Sequence, residues 1–476
     1  MERNLGETYQ ELYEKYDGHP YVGIYELRRP ALLIRDPKLI KQIMIKDFNY
    51  FHSRGMTYNP KVDPLSAHIL HLVGDKWRAK RSKLTQVFTS SKIREVSAQI
   101  EKTADQFTEF VRQYADNEET VEMRELAAKF TSEVISTCCF GFESNSIQHG
   151  LSEFRVICKK VLDPSTILTV KRFIRNYSPW VYETLQMVIT PKEVTTYFTR
   201  IVKEIISYRE ENNIFRSDFM QTMLEIKKES MASSRRKLQN RAAQTNQEQE
   251  NENPAVNGDA NDTVFDDAAI TAHSFLFLFA GFETSSTAMS FVMYELAANP
   301  EIQDRLYIEI RDVLEKHGRA SYEAISEMHY LDRVLNETLR KHPPAGAVGR
   351  MCNEDYTIPG TNLVIEKGTM VTMPLHAIHH DPKYFENPDK FDPDRFLEEN
   401  KRKREPGTFI PFGDGPRNCI GLRFANAQSK AGLVAILKDY QFSLGPQTPV
   451  PLVYETKSLI LSAKSGIWLK IRHRQK

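Results

Sequence analysis

Between Phe412 and Gly421 the chain reads Phe-Gly-Asp-Gly-Pro-Arg-Asn-Cys-Ile-Gly, and no other segment constrains the fold as tightly. Its three glycines and one proline call for a turn, because neither residue sits well inside a helix or a strand. Cys419 lies two residues after Arg417 and two before Gly421. A thiolate presented in such a turn can bind a metal from one side and leave the opposite side open. Positions without a Cβ let a metal-bearing group approach the backbone. The alternative for a free cysteine is a buried, inert side chain. The flanking Phe412, Gly415, Arg417 and Gly421 favour the ligand.

The most apolar segment, Phe275 to Phe279, runs into Ala280-Gly281-Phe282-Glu283-Thr284-Ser285-Ser286-Thr287. A helix apolar on all sides is buried, and Gly281 in its interior costs about 1 kcal/mol relative to alanine. Room for a flat cofactor and a small ligand would offset that cost. Thr284 can donate a hydrogen bond to such a ligand, or bend the helix by bonding back. Glu283 can relay protons; the alternative is a kinked helix with a satisfied acid. Glu337 and Arg340 share a helix face at i,i+3. Alone this spacing is a weak signal, because most such pairs are exposed. Trp77 and Arg81, at i,i+4, also share a face.

Along the chain, Tyr21 to Ile34 reads as a β-hairpin, and Asp36-Pro37 starts a helix. The pattern is mainly helical from about residue 76 to 208, with breaks near Pro164, Pro179 and Pro191, and again on to Leu339. Short β-like runs follow at 356–358, 362–365 and 368–373. A last helix comes after Cys419, and strand-like pieces close the chain. Residues 227–262 are polar and cannot bury enough to offset their ordering entropy, so they are expected as a flexible loop with a solvated basic run. Five cysteines, an adjacent pair among them and no C-x-x-C, argue against a disulfide framework and a zinc site and fit a reducing compartment. A net charge of +1 gives no basis for nucleic-acid binding. No window holds the roughly 18 uncharged apolar residues of a membrane span. The N-terminus is polar, without the apolar core of a signal peptide.

The decamer resembles, position for position, the haem-binding signature F-x-x-G-x-R-x-C-x-G of the cytochrome P-450 haem-thiolate monooxygenases. Ala280 to Thr284 resembles that family's A-G-x-[DE]-T, Glu337 to Arg340 its E-x-x-R, and Trp77 to Arg81 its W-x-x-x-R. The motifs occur in order and the resemblance covers essentially the whole chain. Tyr21 to Tyr25, Phe88 to Ser91 and Gly281 to Thr287 look most like insect microsomal members that metabolise toxins and insecticides.

The resemblance implies a mainly α fold with small β-sheets, forming one domain over residues 1–476. Haem b (iron protoporphyrin IX) would be buried between the long central helix and the cysteine loop. It makes Cys419 the iron ligand, with Phe412, Gly421 and Ala280 against the cofactor. Trp77, Arg81, Arg350 and Arg417 bind the propionates, as suits arginine and planar carboxylates. Thr284 takes the oxygen-activating role and Glu283 the proton relay. Glu337, Arg340 and Arg395 form a buried network that shapes the loop to Cys419.

The reaction implied is insertion of one atom of O2 into a lipophilic substrate: a xenobiotic, an insecticide, a plant toxin or an endogenous hormone or lipid. Electrons come from NADPH through NADPH–cytochrome P-450 reductase, with cytochrome b5 as a further donor; no G-x-G-x-x-G stands at a strand–helix junction. The setting implied is the cytosolic face of the endoplasmic reticulum membrane, and the apolar anchor of microsomal members is expected to be missing. The alternatives are a haem-thiolate isomerase or dehydratase, and a haem-bearing lipophile carrier or sensor.

Two surfaces complete the expectation. Arg78, Lys80, Lys83, Lys92, Arg423 and Lys430 read either as a solvated face or as a basic docking face for an acidic electron donor. By the same resemblance, apolar residues at about 59–73, at 173–190 and after Pro344 either hold the substrate by shape or belong to the core, and Trp180, Leu185 and Met187 to Ile189 can dip into a membrane surface.

Overall fold

The computed structural model describes residues 3–148, 152–162, 165–245, 265–458 and 460–474. Its centre is the 32-residue helix Asp267–Ala298, capped by the Asp266 side chain, which accepts from the Ala269 N–H. The helices Met123–Ile135, Lys192–Asn212, His329–Lys341 and Leu422–Leu437 pack around it. Gly281 is what allows the closest of these crossings: a Cβ there would lie 2.5 Å from Ile135 Cδ1. By length and composition the central helix is apolar enough to cross a membrane, which the stricter count of uncharged residues did not admit. However, 78% of its apolar window is buried inside the fold. Its hydrophobicity is that of a core element.

The N-terminal hairpin forms as expected, Tyr21–Glu26 pairing antiparallel with Arg29–Ile34. It extends into a four-stranded sheet through Met370–Met373, which runs parallel to Arg29–Ile34, and then Val348–Met351. The last of these strands was not anticipated. It sets Arg350 opposite Val371 and leaves its side chain 1% exposed. The expected run at 356–358 shortens to Tyr356–Thr357, paired with Val364–Ile365. Thr120–Glu122, Trp468–His473 and Tyr440–Leu444 form a separate three-stranded sheet.

One expectation is corrected. Residues 227–262 do not start as a loop, because the helix Phe219–Thr245 continues through the polar stretch. Its first turns bury Phe219, Met220, Met223 and Leu224 in the core. Beyond them Lys227 pairs with Asp267 at 2.6 Å. A helix anchored at one end is extended cheaply by Met, Ala, Glu, Arg, Lys and Gln, all good helix formers. The rest of that stretch, like the break expected at Pro164, lies outside the described residues.

Candidate cofactor and active site

Gly413 and Gly415 adopt φ of +71° and +68°. A Cβ at Gly415 would overlap the Met44 carbonyl oxygen, so only glycine fits. The turn closes with the Cys419 N–H donating to Phe412 O at 2.9 Å. Cys419 is exposed, yet burial among surrounding protein is the largest influence on its thiol and raises its pKa. Both hold if the side chain faces an enclosed space within the fold rather than bulk water. The Gly421 N–H and the guanidinium groups of Arg81 and Arg54 act against burial and favour the thiolate. A Cβ at Gly421 would meet only Phe88 Cε1, at 3.8 Å.

Four arginines gather beside this turn. Arg417, 2% exposed, lies over the Trp77 ring at 4.2 Å and donates to Ile69 O at 2.9 Å and Leu72 O. Arg81 donates to Asn418 Oδ1 at 2.8 Å, tying the helix Gly74–Thr85 to the cysteine loop. Arg350 is held by Gly349 O. The fourth, Arg54, escaped the sequence reading; it donates to Arg417 O at 3.0 Å. Burial, with mutual repulsion, pulls Arg417 down to about 8, Arg350 to about 9 and Arg54 to about 10. Among the described residues no carboxylate pairs with any of the four. The Nε atoms of Arg350 and Arg417 are buried without a partner. Such a cluster favours an anion carrying more than one negative charge.

On the central helix the side-chain hydrogen bonds converge on three successive carbonyls. Thr284 Oγ1 donates to Ala280 O at 2.6 Å, Gln428 Nε2 to Gly281 O at 2.8 Å, and Thr131 Oγ1 to Phe282 O at 3.0 Å. Gln428 also donates to Ser285 Oγ, so the helix that follows Cys419 is fastened to the turn carrying Thr284. In the middle of this mostly buried helix Ala280 is exposed and Phe279, Gly281 and Thr284 are half-buried; Ala280 and Thr284, at i,i+4, mark the face turned to the enclosed space. Glu283 is buried and ion-paired with Arg124. The structure therefore places this acid beside Arg124, a residue the sequence did not single out.

Glu337 and Arg340 are both fully buried. Arg340 Nε and Nη2 donate to the two Glu337 carboxylate oxygens at 2.7 and 2.9 Å, and Nη1 and Nη2 donate to the carbonyls of His379 and Pro388. Arg395 Nε reaches Glu337 Oε1 at 3.3 Å. His379 Nε2 accepts from the Ile410 N–H at 3.3 Å, two residues before the decamer. The expected triad is thus assembled, and His379 links it to the cysteine loop.

Burial and Arg340 push His379 down to about 3, and His380 falls to about 3 for the same first cause. Between the unfolded value near 6.5 and those folded values the unfolded chain binds the protons and the folded chain does not. Stability from these residues is complete above pH 6.5. It declines as pH falls towards 3, by up to about 1.4 kcal/mol per pH unit for each histidine. We expect the unfolding temperature to drop steeply below pH 6, and His379→Gln to flatten that profile. Thermal unfolding across pH 4.5 to 7.5 checks this, and parallel profiles would contradict it.

The basic docking face is redrawn. Lys80 is buried, with its ammonium 5.2 Å over the Phe265 ring. Lys83 donates to Ser230 Oγ, Lys92 pairs with Glu95, and Lys430 pairs with Asp332. Arg78 and Arg423 remain exposed. Of the apolar residues assigned to substrate, Leu65 and Ile69 are buried, whereas Trp180 and Leu185 are 71% and 65% exposed.

Among the described residues no three His, Cys, Asp or Glu side chains converge as metal ligands. A metal on Cys419 must therefore bring its other ligands with it. A macrocycle carrying two carboxylates meets that need and the need of the arginine cluster together, so the residues present fit haem. The cytochrome P450 family model matches residues 1–470. Cytochrome P450 6a8 of Drosophila melanogaster is 38% identical over 474 residues, 98% of this chain and 89% of that protein. Cytochrome P450 6a2 of the same insect is 38% identical over 479 residues, 98% and 90% of the two chains. Cytochrome P450 6k1 of Blattella germanica is 35% identical over 468 residues, 98% and 87%. A thiolate turn, a cationic cradle and a match along nearly the whole sequence lead to one assignment: the chain belongs to the cytochrome P450 family of haem-thiolate oxidoreductases.

Proposed function

We propose that the protein is a monooxygenase that inserts one atom of O2 into a lipophilic substrate, the other leaving as water, with electrons from NADPH through NADPH–cytochrome P-450 reductase. The observation that supports it most is the fastening of the Cys419 helix to the Thr284 turn by Gln428. It joins the metal-ligating side of the site to the alcohol and acid expected to manage protons. Cys419 would ligate the iron of haem b, and Trp77, Arg54, Arg81, Arg350 and Arg417 would hold its propionates; the group would supply oxygen activation, which thiolate ligation promotes.

The protein's own part is protonation and shielding. Thr284 gives up its bond to Ala280 O and donates towards the oxygen side. Glu283 releases Arg124, takes up a proton from solvent and donates it to Thr284 Oγ1, and Arg124, whose side chain is 35% exposed, marks the solvent side of the acid. This acid–alcohol pair has no task in a lipophile carrier, and it disfavours an isomerase or dehydratase.

The similarity to insect relatives supports xenobiotic, plant-toxin or hormone-like lipids as substrates, and a site on the cytosolic face of the endoplasmic reticulum. Arg78 and Arg423 are the basic residues left to meet the reductase or cytochrome b5. The exposed Trp180 and Leu185 suit contact with a membrane surface.

Thr284→Val removes the donor and keeps the shape. NADPH consumption should continue while oxygenated product per NADPH falls, on the order of 10²-fold for a lost proton donor. Product and NADPH measured together with reductase and a lipophilic panel check this. Wild-type coupling in the variant would remove Thr284 from the mechanism.

A further inference from the structure

Seven and eleven residues after Thr284, about two and three helical turns on, Phe291 and Glu295 continue the face that carries it. His342 meets both. Its ring stacks on Phe291, with centroids 4.5 Å apart and planes 6° from parallel. Its Nε2 lies 2.6 Å from Glu295 Oε1, and its Nδ1 lies 2.8 Å from the Tyr454 hydroxyl. Glu295 and His342 are both buried. Lys341 Nζ, 2.9 Å from Glu295 Oε1, balances the charge of the carboxylate. The imidazole therefore needs no charge of its own, and burial lowers its pKa. A neutral imidazole has one donor and one acceptor. The Nε2–H donates to Glu295, so Nδ1 accepts from the Tyr454 O–H, which burial keeps protonated. Tautomer and ring plane are thereby fixed.

Tyr454 lies in the first of two paired segments. The Lys464 N–H donates to Val453 O and the Glu455 N–H to Ser462 O, each at 2.8 Å. In the returning segment the Leu461 N–H donates to Pro344 O at 3.0 Å, and Leu461 is buried in the same core as the central helix. The pair is thus tied twice to the stretch His342-Pro343-Pro344, by a side-chain hydroxyl going out and by a backbone amide coming back. Two prolines with fixed φ make that stretch a stiff post. Four residues beyond Pro344 begins the strand Val348–Met351, which holds Arg350 in the cationic cluster. An apolar side chain at 342 would pack on Phe291 equally well and would not need a buried acid behind it. What the imidazole adds is direction, because a hydrogen bond fixes both the distance and the angle of the Tyr454 hydroxyl.

We propose that His342 is a positioning residue: held by Glu295, it orients the Tyr454 hydroxyl and so sets residues 453–455 and 460–462 as a wall that fixes how a long lipophilic ligand lies in the enclosed space. The inference rests on the proposed function, in which that space takes haem and a lipophilic substrate. Short ligands of the iron do not reach the wall.

The test titrates haem-loaded wild type, Tyr454→Phe and His342→Gln with 1-methylimidazole and 1-octylimidazole. The ring nitrogen of each binds the iron, and the two differ only in the reach of the tail. Tyr454→Phe removes one hydroxyl and keeps the ring. Its Kd for 1-octylimidazole should rise roughly tenfold, the scale of one lost hydrogen bond, with amide exchange at Leu461 accelerated by a similar factor. Its Kd for 1-methylimidazole and its thiolate-type carbon monoxide spectrum should stay at the wild-type values. His342→Gln, which keeps one donor and one acceptor, should fall between. Wild-type affinity for 1-octylimidazole in Tyr454→Phe would overturn the positioning role. Equal weakening of both imidazoles would overturn it too, because the defect would then lie in the haem site as a whole. If Tyr454→Phe fails to hold haem, His342→Gln decides on the same titration. A wild type that binds 1-octylimidazole and never yields oxygenated product would sink the proposed function instead, and the titrations would still decide the role of His342.

Discussion

Arg340→Ala protein is expected to accumulate without haem, or not to fold, rather than to work slowly. The substitution removes four donated hydrogen bonds, two to Glu337 and one each to His379 O and Pro388 O. Glu337, fully buried, is left with the 3.3 Å bond from Arg395 and the Asp392 N–H at 3.0 Å. Stranding a buried charge in this way costs about 3–5 kcal/mol, a large part of a total stability of roughly 5–15 kcal/mol. The loss falls on the segment that carries His379 and, through it, Ile410 and the cysteine turn. Arg340→Lys should rescue little, because a single ammonium cannot replace the planar fork. The haem-to-protein ratio of purified Arg340→Ala measures the effect. Full occupancy would show that the network does not shape the cofactor site.

Cys419→Ser should give the opposite pattern, an intact fold with altered chemistry. The turn keeps its glycine at 415, and Arg81 still holds Asn418. Arg417 still holds Ile69 and Leu72. The cradle should therefore bind haem, while the thiolate's electron donation is lost. The reduced carbon monoxide complex should lose its thiolate-type absorption. Substrate oxygenation should fall by at least about three orders of magnitude, equivalent to about 4 kcal/mol of barrier. A serine variant with the wild-type spectrum would mean that another side chain ligates the iron.

The parts of the site that the sequence showed are those whose chemistry is local. Glycines at positive φ, a cysteine beyond them and an acid–base pair at helical spacing are all visible within ten residues. Arg54 was not, because its role comes from meeting Arg417, 363 positions away. Arg124 and Gln428 were hidden for the same reason, their partners lying 159 and 147 positions off. Counting lysines overstated the docking face, since charge along a chain says nothing of exposure. The Lys80 stem lies buried, with its ammonium over Phe265. Composition misjudged the stretch from 227 because it measures burial, whereas the helix there is anchored by the apolar turns before it.

The central claim is that Cys419 serves oxygen insertion. It is tested most directly by supplying haem-loaded protein with reductase, NADPH, isotopically labelled dioxygen and a lipophilic panel, and weighing the products. The account predicts one labelled oxygen atom per product molecule, with matching NADPH consumption, in wild type and not in Cys419→Ser. Substrate-binding spectral shifts without labelled product, or product without label, would contradict it.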